Sequence, residues 1–193
     1  MDRSKMVSAV IAKPMITLVF ETHSTSVDNE AHLASGHYDA ALSPLGERQA
    51  KELGVRHRTE VIDAVFCSDL QRAYRTAEIA FAGCAIPILR DVRLRECDYG
   101  DWTRKPSEEV HAEAPRRVTT PFPNGESYEQ ATARTRSFLQ DLLKDYGGKK
   151  VLVIGHRATH HGLELWIHGR SLVKIVKERW SWQPGWTYVL ERL

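Results

Sequence analysis

The sequence predicts an α/β fold: a three-layer sandwich in which a mostly parallel central sheet carries helices on both faces. Short apolar runs alternate along the chain with segments of helical periodicity, which is typical of parallel α/β proteins. The run at 149–154 is almost unbroken in its apolar character, as expected for a strand covered on both faces. This run and those at 15–20 and 61–67 are each followed closely by a histidine or an arginine. Open α/β sheets bind ligands at the carboxyl ends of their strands, so these side chains are predicted to meet at a ligand site.

The first two predicted elements are a strand at 15–20 and, after a long loop, a helix that ends near residue 58. Ser43 and Pro44 mark the start of this helix, because serine is a favoured N-cap and proline suits the first helical position. We expect part of the preceding loop, 29–39, to help shape the pocket.

The second predicted strand, 61–67, is rich in branched and aromatic residues and leads into a helix. Ser68 and Gln71 have the spacing of a capping box, which predicts where the helix begins. Arg72 lies in its first turn. Apolar residues then recur at helical intervals and predict a face that packs on the sheet: Leu70, Ala73, Ala77, Ala80 and Phe81.

The second half of the chain continues the alternation. A short third strand is predicted at 86–89, and a capping box formed by Ser127 and Gln130 begins a longer helix. The fourth strand leads into a helix at about 159–168, and the chain is predicted to finish in a strand at 187–191.

The domain organisation is predicted to be simple. Residues 1–14 are expected to form a flexible leader, and 15–193 a single domain. The segment 104–123 differs from its surroundings, because it combines several prolines with dense mixed charge and little periodicity. Two interpretations stand: a solvated surface excursion, or a lid or specificity loop over the substrate.

Composition excludes several classes of partner. The net charge is +2, from 27 basic and 25 acidic residues spread along the chain, which argues against a nucleic-acid or membrane-surface protein. Three tryptophans near the end, Trp180, Trp182 and Trp186, are therefore predicted to be core or pocket wall. The three cysteines lack Cys-x-x-Cys spacing, which predicts neither a disulfide framework nor a zinc knuckle and favours a reducing cytoplasm. The sequence does not indicate an oligomeric state.

Four residues near the predicted strand ends suit phosphoryl transfer through a covalent intermediate. That reaction needs a nucleophile, donors for the phosphoryl oxygens and an acid for the leaving alkoxide. His23 is the candidate nucleophile, and the planar fork of Arg72 suits bidentate phosphate binding. His156 approaches from a neighbouring strand end, and Glu96 is the candidate proton donor. Taken alone, Glu96 is equally a loop carboxylate paired with Arg93 or Arg95.

Five motifs in order carry a family resemblance: Thr22-His23-Ser24 with Asn29; Ser68-Asp69-Leu70-Gln71-Arg72-Ala73-Tyr74-Arg75-Thr76-Ala77; Leu94-Arg95-Glu96 with Tyr99 and Gly100; Pro123-Asn124-Gly125-Glu126-Ser127; and Val151-Leu152-Val153-Ile154-Gly155-His156. Together they resemble the histidine phosphatase superfamily, also called the phosphoglycerate mutase-like fold. The resemblance spans about residues 16 to 190.

This resemblance implies a set of roles. His23 would be the nucleophile that forms phosphohistidine, while Arg72, His156 and Asn29 would bind the phosphoryl group. Glu96 would act as general acid and then as base for the attacking water. The implied substrate is a small-molecule phosphomonoester, with no cofactor and no metal.

The first motif departs from the family pattern at two positions. Thr22 stands where the family has arginine, and Ser24 where it has glycine. A charge-assisted hydrogen bond of the kind that arginine makes is worth about 1.5 to 3 kcal/mol. We expect Thr22 and Ser24 to remain beside the phosphate, with Arg157 as the first candidate for a replacement cation and Arg75 as the second.

Three other functions stay open. A weakened or inactive member would bind a phosphorylated ligand without turning it over. A mutase is less favoured, because the stretch between Glu96 and Ser127 is short for the lid that would exclude water. A zinc hydrolase is suggested by His156 and His160, one helical turn apart, but Arg157 stands where that motif has its glutamate base.

Overall fold

The predicted mostly parallel sheet is confirmed in a computed structural model of the protein, which describes residues 15–193. The predicted leader, 1–14, lies outside the described residues. Five strands form the sheet in the order β3-β2-β4-β1-β5, and β5 alone runs antiparallel to its neighbour. The strands are β1 (Ile16–Thr22), β2 (Ala64–Cys67), β3 (Ile88–Arg90), β4 (Lys150–Gly155) and β5 (Trp186–Leu190).

Strand pairing brings the predicted strand ends to one level. Thr22 at the end of β1 lies opposite Gly155 at the end of β4, and Cys67 at the end of β2 lies opposite Ile154. Because β4 separates β2 from β1, the three carboxyl ends are neighbours in the sheet. The residues that follow these strands therefore emerge at a single edge.

Seven helices are described: α1 (Val27–Glu30), α2 (Pro44–His57), α3 (Gln71–Ala80), α4 (Ser107–Glu113), α5 (Tyr128–Asp145), α6 (Arg157–Trp166) and α7 (Leu172–Lys177). On one sheet face, α2 and α3 contribute Leu53 and Ala77 to a buried cluster with Leu152. On the other face, α5 and α6 contribute Leu139 and Leu163. Helices on both faces confirm the three-layer architecture. Within residues 15–193, no helix is both long enough and apolar enough to span a membrane.

Two of the three predicted helix caps are confirmed. The Ser43 hydroxyl accepts from the Gly46 amide, and Ser127 forms a reciprocal capping box with Gln130. The capping box predicted for α3 is wrong, because its N-cap is Leu70, which makes no side-chain cap. Ser68 instead accepts from the Leu70 amide at the end of the preceding strand.

Several predicted boundaries are shifted. β2 begins at Ala64 rather than at residue 61, since Asp63 uses its carboxylate to accept from the Lys150 amide. β3 starts after Pro87, which has no N–H for the ladder. α6 starts at Arg157 rather than at residue 159, because His156 is its N-cap.

The segment 104–123 is a packed element, so its interpretation as a solvated excursion is wrong. It contains α4 and a single 3-10 turn over Ala114–Arg116. Val110 and Phe122 are buried in a small cluster with Tyr99 and Tyr128. Apolar side chains spaced irregularly along this segment make the core, which is why no period was visible in the sequence.

Helix α2 approaches α3 so closely that Gly54 has no room for a side chain. A Cβ added at Gly54 would overlap the backbone carbonyl of Ala80. We expect Gly54→Ala to lower the free energy of unfolding by about 1 to 3 kcal/mol through overpacking. That loss exceeds the roughly 0.5 to 1 kcal/mol that alanine gains in a helix.

Denaturant unfolding measures this change, with Lys51→Ala on the exposed face of the same helix as the control. A Gly54→Ala protein as stable as the wild type would contradict the observed contact.

Candidate active site

The predicted convergence of the two histidines is observed. The ring centroids of His23 and His156 are 4.9 Å apart. Both rings line a cavity of about 730 Å³ together with Glu96, and Glu108 and His111 of α4 form part of its wall. His23 and Glu96 also line a smaller hollow of about 90 Å³ with Arg72. The structure thus brings three distant parts of the chain around one site.

His23 is held in a defined tautomer. Its Nδ1 lies 2.7 Å from the carbonyl oxygen of Ser24 and must donate to it, so Nε2 is the nitrogen with the free lone pair. Burial, and then the charge of Arg72, lower the pKa of His23 to about 3, against the opposing effect of the Ser24 hydrogen bond. The imidazole is therefore neutral, which is the form that a nucleophile requires.

His156 is buried beside it, with 1 % of its surface exposed. Burial lowers the pKa of His156 well below its usual value, and the charge of Arg72 acts in the same direction. Neither ring nitrogen has a hydrogen-bond partner among the described residues. The backbone is fixed instead, since the His156 amide donates to the Thr159 hydroxyl at 3.1 Å. The ring can therefore offer an N–H to an anion in the cavity.

Arg72 is a buried cation, with 2 % of its surface exposed. Its Nη1 donates to the Tyr38 carbonyl at 2.9 Å and its Nη2 to the Gly36 carbonyl at 2.8 Å. Gly36 has a φ of +52° and lies against Tyr99, a conformation that a larger residue adopts only with strain. Within residues 15–193, Arg72 forms no ion pair, so its charge remains available to an anionic ligand.

Glu96 binds the backbone and not a neighbouring arginine. Its Oε1 accepts from the amides of Cys97 at 2.8 Å and Ala158 at 3.1 Å, and its Oε2 accepts from the amide of Arg157 at 3.2 Å. The last two amides belong to the first turn of α6. The carboxyl group is thereby fixed beside His156.

The alternative pairing of Glu96 with Arg93 or Arg95 is wrong. Arg93 binds Asp91 and Asp141, while Arg95 forms a two-pronged ion pair with Asp69 at 2.7 and 2.6 Å. Both arginines therefore form ion pairs with aspartates and not with Glu96.

Sequence reasoning missed the residues that hold the Glu96 loop. Arg134 of α5 donates to the carbonyl oxygens of Arg93, Arg95 and Glu96 and forms an ion pair with Glu126 at 2.7 Å. His37 donates from Nε2 to the Glu96 carbonyl at 2.8 Å. Glu126 belongs to one of the five motifs, so the sequence offered a reason to expect a role for it. Arg134 belongs to none of them, and its spacing from other residues indicates no role.

Three smaller polar residues lie at the walls. Asn29 and Thr22 line the main cavity, and the Asn29 Oδ1 accepts from the Ser26 amide at 3.0 Å, which leaves its amide nitrogen for a ligand. Ser24 lines a second hollow of about 360 Å³ on the Trp182 side of His23. The Ser24 amide donates to the Thr76 hydroxyl at 3.0 Å.

The two candidate replacement cations differ in position. Arg157 lines the main cavity, and its Nη2 donates to the Glu178 carbonyl at 3.1 Å. Arg75 forms an ion pair with Glu78 at 2.6 Å on an exposed face of α3 and lines none of these cavities. The expectation for Arg75 is therefore wrong, because its guanidinium is held outside the site.

The spacing of His156 and His160 does not produce a metal centre in the described chain. Within residues 15–193, no group of three or more histidine, cysteine or acidic side chains is arranged to hold a metal ion. His160 packs instead against the rings of Phe20, Trp180 and Trp186, at centroid distances of 5.7, 5.2 and 4.9 Å. Trp180 and Trp182 line cavities, as predicted for the aromatic tail.

Comparison with known proteins decides the family. The model of the histidine phosphatase superfamily (branch 1) matches residues 18–188. The chain belongs to this superfamily. "Uncharacterized phosphatase PhoE" of Bacillus subtilis is 34% identical over 155 residues, which cover 80% of this chain and 79% of the relative.

Two further similarities bear on fold and function. "Probable phosphoglycerate mutase GpmB" of Klebsiella pneumoniae subsp. pneumoniae is 33% identical over 150 residues, covering 74% of this chain and 70% of that protein. The solved structure of YhfR from Bacillus stearothermophilus has a TM-score of 0.77 and 25% identity, and the match covers 88% of each chain. The fold of this member is therefore the phosphoglycerate mutase-like fold.

Buried neutral histidines make the stability of this superfamily member sensitive to acid. Burial lowers the pKa of His160 from 6.5 to about 4. Between these values the unfolded chain binds a proton at His160 that the folded protein does not, so the free energy of unfolding falls as the pH is lowered. We expect His160→Phe to reduce the slope of stability against pH in this range by about one proton.

Urea unfolding at a series of pH values measures the slope, and normalising each protein to neutral pH removes the effect of packing. An unchanged slope in the variant would contradict the assignment of a neutral, buried His160.

Proposed function

We propose that the protein is a phosphomonoester hydrolase that acts without a metal ion, through a phosphohistidine on His23. Membership of the histidine phosphatase superfamily and the phosphatase name of the Bacillus subtilis relative support phosphatase activity. The observation that carries the mechanism is the hydrogen bond from His23 Nδ1 to the Ser24 carbonyl. It leaves a neutral Nε2 as the nucleophile in a cavity that also contains Glu96 and His156.

In the first step, the Nε2 lone pair of His23 attacks phosphorus and the bond from phosphorus to the leaving oxygen breaks. The Glu96 carboxyl group donates its proton to that oxygen, so the product leaves as an alcohol. Three backbone amides hold the Glu96 carboxyl group in place for this role.

In the second step, water attacks the phosphorus of phosphohistidine and Glu96 accepts its proton. The bond from phosphorus to Nε2 breaks, its electron pair returns to nitrogen, and neutral His23 is regenerated. Arg72 and His156 stabilise the charge on the phosphoryl oxygens in both steps. The amide of Asn29 and the hydroxyls of Thr22 and Ser24 are neutral donors at the same walls.

A phosphate-release assay on a panel of small phosphomonoesters, without added metal, tests this function. We expect turnover by the wild type and a loss to background in His23→Gln, because glutamine cannot form the covalent intermediate. The matched control is His168→Gln, since His168 lies half exposed near Tyr188 and lines none of the cavities at His23. Equal turnover by wild type and His23→Gln would refute the mechanism.

The role of Glu96 predicts a dependence on the leaving group. We expect Glu96→Gln to lower kcat for an alkyl phosphate by about a hundredfold or more, the usual contribution of general acid catalysis. The loss should be much smaller for 4-nitrophenyl phosphate, whose leaving group needs little protonation. Glu129→Gln on the exposed surface of α5 is the control. The same loss for both substrates would argue against Glu96 as the acid.

Two alternative functions are each favoured by a specific observation. The similarity to a protein named as a mutase favours phosphoryl transfer between positions of one substrate. The absence of a cation at Thr22 favours a weakened member that only binds a phosphorylated ligand. Product analysis of the same panel separates them, since a mutase would yield an isomer without free phosphate and a binding protein would yield neither.

A further inference from the structure

A further cavity, lined by Trp180, adjoins the main cavity of the candidate active site. Its volume is about 220 Å³, and Arg157, Arg179 and Trp180 line both this cavity and the main one. We call it the tryptophan pocket; its further walls include His160, His161 and Trp186. A ligand whose phosphoryl group lies at His23 can therefore extend into it.

Buried polar atoms without partners concentrate in the tryptophan pocket. Among the described residues, the buried nitrogens without a hydrogen bond include Nε of Arg157, both ring nitrogens of His160 and Nδ1 of His161. The nearest acid to His160 is Glu164, whose Oε1 lies 3.9 Å from Nε2, beyond hydrogen-bond distance. Buried polar atoms in folded proteins are almost always hydrogen-bonded, so four such atoms around one cavity indicate a site built for a polar ligand.

The charges of the pocket favour an anion. Two carboxylates line it, but Arg170 binds both, Glu164 at 2.8 Å and Glu178 at 2.5 Å. Arg157 and Arg179 form no ion pair with any residue in 15–193, and the polar contact of the Arg157 side chain is the carbonyl of Glu178. The pocket thus contains three arginines and two carboxylates, so its formal charge is positive, and two of the arginines are not paired with an acid.

The imidazoles can complement such an anion without adding charge. Burial lowers the pKa of His160 to about 4 and that of His161 well below its usual value, so both rings are neutral. Each neutral ring has one N–H to donate. The indoles of Trp180 and Trp186, 5.4 Å apart, form apolar walls that strengthen charge interactions within the pocket.

Arg157 acts on the tryptophan pocket more than on the imidazole pair. After burial, the charge of Arg157 is what lowers the pKa of His161, which lines the tryptophan pocket. The same charge lowers the pKa of His111, which lines the main cavity at α4. The charge that acts in this way on His23 is that of Arg72. The guanidinium of Arg157 therefore lies toward the part of the site where the leaving group would extend.

We propose that the tryptophan pocket binds a second anionic group, a carboxylate or a second phosphate, on the leaving-group end of the phosphomonoester. Arg157 holds this group by a charge-assisted hydrogen bond from Nε, and His160 and His161 donate to it. The inference rests on the proposed function and names the substrate class: a phosphomonoester with a second negative charge.

Three substrates with the same carbon skeleton test the pocket: glycerol 3-phosphate, 3-phosphoglycerate and propane-1,3-diol bisphosphate. The second and third separate a preference for carboxylate from one for phosphate. We expect the wild type to favour at least one of them over glycerol 3-phosphate in kcat/KM. Arg157→Met should lower that preference about ten- to a hundredfold, the equivalent of one charge-assisted hydrogen bond.

Arg136→Met is the matched control. Arg136 of α5 lies over the ring of Trp166 of α6 and lines neither cavity. No preference in the wild type would overturn the proposal. An equal loss for all three substrates in Arg157→Met would also overturn it, because it would place Arg157 at the reacting phosphoryl group.

Calorimetric binding of the same three compounds to His23→Gln makes the test independent of turnover. Tighter binding of a doubly anionic compound to His23→Gln, lost when Arg157→Met is added, supports the pocket even if none of the three is hydrolysed. The phosphate-release panel alone then decides the proposed function. Equal affinities for all three compounds would overturn the pocket and leave the hydrolase assignment to its own assay.

Discussion

The parallel pairing of β1 with β4 is the constraint on which the site depends. Thr22 lies opposite Gly155, and the ladder continues one residue further, where the His23 amide donates to the Gly155 carbonyl at 3.0 Å. This bond fixes the backbone of His23 next to that of His156. A slip of one residue would turn the side chains of β1 to the opposite face of the sheet and separate the two rings.

At the ends of these strands, the positive charge and the candidate nucleophile belong to different side chains. The buried guanidinium at the imidazole pair, that of Arg72, is held by backbone carbonyls and keeps its charge. The same charge, together with burial, keeps His23 and His156 neutral. Glu96 is fixed by backbone amides and forms no ion pair with any residue in 15–193. Such an arrangement is organised for an anion before the anion arrives, which is the main source of catalysis by fixed charges.

Local patterns in the sequence were sufficient to predict the sheet, most of the helices and the meeting of His23 with His156. These features depend on periodicity and on strand ends, both of which are visible in a short window. Contacts between distant segments were not predictable in this way. Two examples are the hydrogen bond from Arg134 to the Glu96 carbonyl and the packing of Phe122 with Val110 of α4. Both depend on how the helices dock, which no residue spacing in the chain indicates.

The departures from prediction are concentrated at helix starts and at arginines. Ser68 has the spacing of a cap but lies within the strand-end turn, where its hydroxyl serves the Leu70 amide. Arg75 is one turn from Arg72, but its side chain extends to Glu78 in solvent, whereas that of Arg72 is buried. Residue type and spacing select candidates, while the direction of each side chain decides between them.

Direct detection of the phosphoryl-enzyme intermediate would test the mechanism most sharply. The protein would be mixed rapidly with a hydrolysed phosphomonoester, quenched in alkali to preserve phosphohistidine, digested and mapped by tandem mass spectrometry. The account predicts a phosphoryl group on His23 that forms within the first turnover and disappears as substrate is consumed. Phosphate release with the phosphoryl group on another residue, or with no phosphorylated peptide at any time, would contradict it.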